Sequence, residues 1–165
     1  MFDWLKSKKA LTANAAPAND TRGVFDIVTD TATICVFDLA AMSHRKDDTG
    51  DWWSIPRDEL MEVRNSNALF LNLGADGRYQ IEITKQCDPE RAGYHLKAPS
   101  GRIFIGAGEE MSGGGFEPTG EWGGAFLSVD DPHQKVSVSR QGSMITINFQ
   151  PTEPFLNDLV DLIRI

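Results

Sequence analysis

The chain has 165 residues, 41% of them hydrophobic and 24% charged, and carries a formal net charge of −8 at pH 7. That length and balance describe one globular domain large enough to bury a core without disulfide or metal staples. The acidity excludes unaided nucleic-acid binding, which needs clustered Lys and Arg, and no apolar run approaches the ~20 residues of a membrane span.

The charge is concentrated. Residues 47–62 hold Asp47, Asp48, Asp51, Asp58, Glu59 and Glu62 against Arg57, and residues 109–131 hold Glu109, Glu110, Glu117, Glu121, Asp130 and Asp131 with no base. A basic protein surface or a cation is the natural counterpart of two such segments.

In chain order, MFDWLKSKK at the start places apolar residues before its bases, which is unlike a secretory signal and leaves a cytoplasmic protein as the expectation. TANAAPAND (12–20) is small, polar and Pro-containing, a linker composition. Residues 1–22 therefore read as an N-terminal segment with a flexible linker, and 23–165 as a single β-rich domain.

β signals dominate that domain: VFDIVT (24–29), TATICVFD (31–38) and the dense apolar run NALFLNLG (67–74). The Ala75-Asp76-Gly77 turn then leads into RYQIEIT, in which Tyr79, Ile81 and Ile83 alternate with polar residues, and the pair reads as a hairpin. Further strands are expected at 93–98, 102–106, 125–129, 135–140 and 144–149, the last two forming a hairpin across Gln141-Gly142. Pro56 to Arg64 has the Pro, early acids and terminal Arg of a short helix. PFLNDLVDLIRI (154–165) has a polar stripe of Asn157, Asp158, Asp161 and Arg164, so a C-terminal helix packed on the sheet is expected. The predicted fold is mainly β: an antiparallel sandwich or open barrel of about eight or nine strands with one internal and one C-terminal helix.

The segment from Gly106 to Gly124, GAGEEMSGGGFEPTGEWGG, has eight glycines and four glutamates and lies between two strand-like runs. Glycine at this density loses much conformational entropy on ordering, which points to special backbone geometry or to close approach of a partner.

Motifs for catalysis do not accompany it. Gly106-Ala107-Gly108 opens like a dinucleotide fingerprint, but Met111 stands where the third glycine belongs. Ser112 and Ser143 lack the G-x-S-x-G elbow, and His44, His95 and His133 are far apart in sequence. The reading is therefore non-enzymatic, with no cofactor, catalytic residue or metal ligand assigned. Asp47, Asp48 and Asp51, or Glu109, Glu110, Glu117 and Glu121, supply the oxygen chemistry calcium takes, although without EF-hand spacing. Trp52, Trp53 and Trp122 are ring types that stack on sugars. Cys35 lies in an apolar strand and Cys87 in a loop; a bridge between them is left open, and a reduced cytosolic setting suits so few cysteines.

TATICVFDLAAMSHRKDDTGDWWSIPRDELMEVRNSNALFLNLGADGRYQIEI (31–83), together with APSGRIFIGAGEEMSGGGFEP, WGGAFLSV and the terminal DLIRI, resembles a family of small, uncharacterised, β-rich bacterial proteins encoded near secreted-toxin or type VI secretion genes. The resemblance implies the immunity side of a toxin–immunity pair, a small acidic protein that blocks its toxin, and it transfers no catalytic residues.

The sequence reading is thus a cytoplasmic protein that neutralises a cognate toxin with a basic surface. Glu109, Glu110, Glu117 and Glu121 are its expected electrostatic contacts, Phe116 and Trp122 its anchors, and Asp47, Asp48, Asp51 and Trp52 a second patch. The alternative is a β-domain that binds calcium or a glycan.

Overall fold

The computed structural model describes residues 23–84, 92–113 and 117–165. The N-terminal segment, Cys87 and Phe116 lie outside them. Among the described residues nine strands form two sheets: β1 (Val24–Thr29), β2 (Thr33–Asp38), β3 (Ala68–Asn72), β4 (Gly77–Thr84), β5 (Tyr94–Lys97), β6 (Arg102–Ala107), β7 (Ala125–Ser128), β8 (His133–Gln141) and β9 (Met144–Pro151). One sheet has the order β1-β4-β9-β8-β5 and the other β3-β2-β6-β7, so neither closes into a barrel and the architecture is sandwich-like. Among the described residues the remaining elements are one α-helix, α1 (Pro56–Arg64), and three 3-10 helices over Leu39–Arg45, Trp52–Ser54 and Gly108–Gly113.

The two sheets differ in how they are covered. β2 is buried at every position and β3 at four of five, which is the pattern of strands buried on both faces. β4 alternates between buried and accessible residues, so the five-stranded sheet keeps one face toward solvent. Ile34, Val36, Leu69, Leu71, Ile103 and Ile105 share one face of the four-stranded sheet by register, and all are fully buried. The opposite face carries Cys35, Phe37, Phe70 and Phe104, and it is this aromatic face that the 3-10 helices cover.

Three expectations are corrected. β3 and β4 do not form a hairpin: β3 pairs with β2, while β4 pairs antiparallel with β1 and parallel with β9. The apolar alternation of β4 matches a partner on each side, with Ile81 opposite both Phe25 and Ile145, and the turn at Ala75-Asp76-Gly77 carries the chain from one sheet to the other. The sandwich is for the same reason not antiparallel throughout.

The third correction is the C-terminal helix, which is absent: residues 152–165 form no helix, with bends at Val160 and Asp161 and an isolated bridge at Arg164. Long-range hydrogen bonds replace the helical ones. The Asn157 N–H donates to the Arg64 carbonyl at 3.1 Å, Asn72 N–H to Ile163 O at 3.0 Å and Ile165 N–H to Asn72 O at 3.1 Å. The segment thereby flanks β3 through an isolated parallel bridge between Asn72 and Arg164. The hairpin expected between the last two strands is present as β8 and β9, with Val136 opposite Phe149 and Val138 opposite Ile147.

Candidate functional site

The aromatic face of the four-stranded sheet is the platform on which the acidic segments sit. Phe37 meets Phe104 edge-on with ring centroids 5.8 Å apart, and Phe104 lies 5.2 Å from Phe126. Trp53 stacks on Phe70 at 5.7 Å with the planes 8° apart, and Trp52 meets the same ring edge-on at 6.0 Å. Two arginines complete the cover by cation–π contact: Arg45 lies 4.4 Å above the Trp52 ring and Arg102 lies 3.7 Å above Phe126.

This packing brings the two acidic segments together. The 3-10 helix at Trp52–Ser54, which follows Asp47, Asp48 and Asp51, contacts the one at Gly108–Gly113. Gly108 is required at the junction, because a Cβ there would stand 2.8 Å from the Trp53 ring and 3.2 Å from the Thr33 side chain. The last part of the Gly-rich segment then lies along the edge of the other sheet: Gly123 forms an antiparallel bridge with Ile27, and Val28 N–H donates to Trp122 O at 3.0 Å. Gly123 has φ +82°, and a Cβ would come 2.3 Å from the Asp26 carbonyl oxygen. The glycines therefore serve backbone approach within the chain at these positions.

The glutamates divide into builders and exposed groups. Glu109 accepts from the Thr29 and Thr31 hydroxyls at 3.1 Å each and from the Asp30 backbone N–H, fixing the β1–β2 turn. Glu110 is buried; it accepts from the backbone N–H groups of Thr119 at 2.8 Å and Trp122 at 3.2 Å, holding the loop closed. The two carboxylates thus serve different donors rather than converging on one point, and among the described residues no three His, Cys, Asp or Glu side chains gather as a metal site would require. Glu117 is exposed and pairs with Arg102 at 2.9 Å. Glu121 is exposed, as are Asp47, Asp48 and Asp51, with Asp48 held 2.9 Å from Arg45. Trp122 is half-buried.

Two of the expected contact residues are corrected by this placement. Trp52 is 4% exposed and belongs to the core, as does Trp53 at 5%, so neither ring offers a surface to a partner or a sugar. Glu110 is spent on the loop's own amides. Its short spacing from Thr119 and Trp122, across a Gly-rich turn, is the sequence signal for that role.

Sequence reasoning missed the buried polar network under this face. Glu62 on α1 accepts from Arg45 Nε at 2.7 Å and Asn67 Nδ2 at 2.8 Å, and lies 2.8 Å from His44 Nε2. Burial pushes the Glu62 carboxyl up, but the bonds from Asn67, His44 and Arg45 outweigh it and hold the group below the usual carboxylate range. Burial likewise lowers the Arg45 guanidinium, and contacts with Glu62, Asp48 and Asp58 outweigh it to leave the group raised. This network ties the 39–48 segment to α1. Beneath the face, the Cys35 thiol donates to Ala107 O at 3.1 Å, and burial, with Glu110 and Glu109 nearby, pushes it well above the ordinary thiol range. A thiol so held is a packing group, not a nucleophile.

The chain belongs to a family of unknown function, DUF6386, whose model matches residues 21–165. No curated protein matches it. A solved structure described as "Crocagin biosynthetic gene J" is similar in fold at 15% identity and a TM-score of 0.50, covering 79% of this chain and 97% of that one. At that identity the likeness concerns the fold alone. Among the described residues no helix is long and apolar enough to cross a membrane.

Proposed function

We propose that this chain is a non-enzymatic immunity protein that binds a cognate secreted toxin in the bacterial cytoplasm and neutralises it through the acidic face. The observation that carries the reading is the contact between the two acidic segments, which are separated by some fifty residues in the sequence and adjacent in the fold. Asp47 and Asp51 precede that contact in the chain and Glu121 follows it; all three are exposed and, among the described residues, make no ion pair within the chain. Carboxylates left unneutralised on a rigid platform steer a basic partner and raise its association rate. Glu117 joins them by exchanging Arg102 for a partner base, Trp122 is the accessible edge of the anchor, and Glu109 and Glu110 keep the surface in shape. The resemblance carried by residues 31–83, 98–118, 122–129 and 161–165 to an immunity-like family points the same way.

Affinity capture of the tagged protein from its native bacterium, read by mass spectrometry, tests this. The expected result is one secreted effector at near-equal stoichiometry whose purified activity is lost when the chain is added. Recovery of no effector, or of one whose activity survives saturation by the chain, would defeat the proposal. A calcium or glycan response in that event would turn the reading to a ligand-binding β-domain.

A further inference from the structure

A groove of about 710 Å³ runs between α1 and the C-terminal segment, and Asp47, Asp51 and Glu121 are not among the residues that line it. One wall is the outer face of α1, where Arg57, Leu60, Met61 and Arg64 recur at helical spacing. The other wall is formed by Leu156 and Asp158. Of the apolar side chains that line it, Leu156 is 63% exposed and Met61 43%, and close to Leu156 in the sequence Phe155 is 64% exposed and Val160 90%. An apolar patch of this kind, rimmed by charge, marks an interaction surface.

The charges select the occupant. Arg57 and Arg64 stand on the helical wall and Asp158 on the opposite one, and among the described residues none of the three makes an ion pair within the chain. A basic toxin would be repelled by the two arginines. A two-fold interface, by contrast, applies the same patch to itself, so a patch with opposite charges on its two walls is self-complementary. We propose that this groove is the two-fold interface of a homodimer, with the apolar C-terminal segment of each protomer seated against α1 of the other and Arg57 and Arg64 facing the partner's Asp158. The acidic faces remain free in such a dimer, because Asp47, Asp51 and Glu121 take no part in the groove, and each protomer keeps its own binding surface.

Sedimentation equilibrium on the full chain, over a concentration series reaching high micromolar, tests this. The expected result is twice the chain's mass at the upper end. Val160→Asp with Leu156→Asp should return the mass to that of one chain, and Arg57→Glu with Arg64→Glu should do the same, with circular dichroism unchanged because all four positions are surface ones. Asp158→Arg alone should also dissociate the dimer, and mixing it with the Arg57→Glu, Arg64→Glu protein should restore a heterodimer. A single-chain mass throughout the series would overturn the proposal, and so would a dimer indifferent to these substitutions, including one held together by another surface. An acidic or apolar foreign partner seated in the groove of a strictly monomeric chain would overturn it equally.

Discussion

Asn157 hydrogen-bonds to both backbone polar groups of His95: its Oδ1 accepts from the His95 N–H at 2.7 Å and its Nδ2 donates to the His95 carbonyl at 2.8 Å. β5 is an edge strand, and one side-chain amide thus takes the place of the missing neighbour, which blunts an edge that would otherwise invite pairing. The same Nδ2 donates to Val63 O at 2.7 Å, so the residue also ties the C-terminal segment to α1. Asn157→Leu should cost about 1–3 kcal/mol, the price of leaving buried donors and acceptors without partners. Urea unfolding checks this, and a change within experimental error would contradict the assignment.

Glu59 and Glu62 lie one turn apart on α1 and should respond to pH with opposite signs. Glu62 is held below the ordinary carboxylate range, burial being outweighed by Asn67, His44 and Arg45. Its contribution to stability is present above the unfolded value of about 4.3 and is lost as pH falls through the folded value. Glu59 is raised by burial against weaker opposition from Asn72 and Arg164. Stability associated with Glu59 is therefore present below the unfolded value and lost as pH rises through the folded one. Glu62→Gln should destabilise the protein at neutral pH and flatten its acid limb. Glu59→Gln retains an acceptor for the Asn72 amide and should stabilise it at neutral pH. Unfolding midpoints from pH 3 to 8 for the two variants decide the signs.

Gly108→Ala should disturb the junction between the acidic segments. The added methyl would meet the Trp53 ring at 2.8 Å, and a shift of that ring would disturb its stack on Phe70. Overpacking of this kind costs about 1–3 kcal/mol. The expected readout is a lower unfolding midpoint with a shifted tryptophan emission; an unaltered spectrum at unaltered stability would mean that the two segments are not locked together by this contact.

Glu110 and Glu121 should separate structure from binding. Glu110→Ala removes the acceptor for two loop amides, with an expected loss of about 1–3 kcal/mol and faster hydrogen exchange at Thr119 and Trp122. Glu121→Lys changes an exposed charge and should leave the unfolding midpoint in place, since isolated surface charges contribute about 0–1 kcal/mol. Equal loss of stability in both variants would remove the distinction between builder and contact residues.

The strand positions were legible because each strand carries a period-two or wholly apolar pattern between turn residues, and that signal is local. Pairing was less so. NALFLNLG and RYQIEIT are adjacent in sequence with a good turn between them, and only the difference between continuous and alternating burial separates their sheets. In the C-terminal segment the helical stripe was real, yet Asn157 and Asn72 supply hydrogen bonds from distant strands that no helical periodicity records. The acidic site shows the same division. Composition located the carboxylates, while which of them turn inward depends on where Thr29, Thr119 and the Trp122 amide arrive in three dimensions. Trp52 reads as part of a second surface patch beside Asp47, Asp48 and Asp51 because nothing local reveals that it packs against Phe70.

The central claim is that the acidic face binds the toxin, and the most direct test is the association rate of the captured effector with the wild-type chain and with an Asp51→Lys, Glu121→Lys variant at increasing salt. The account predicts fast association that falls steeply with salt for the wild type, and a slower, nearly salt-independent rate for the variant, with folding intact in both. Equal rates and equal salt dependence for the two proteins would contradict it.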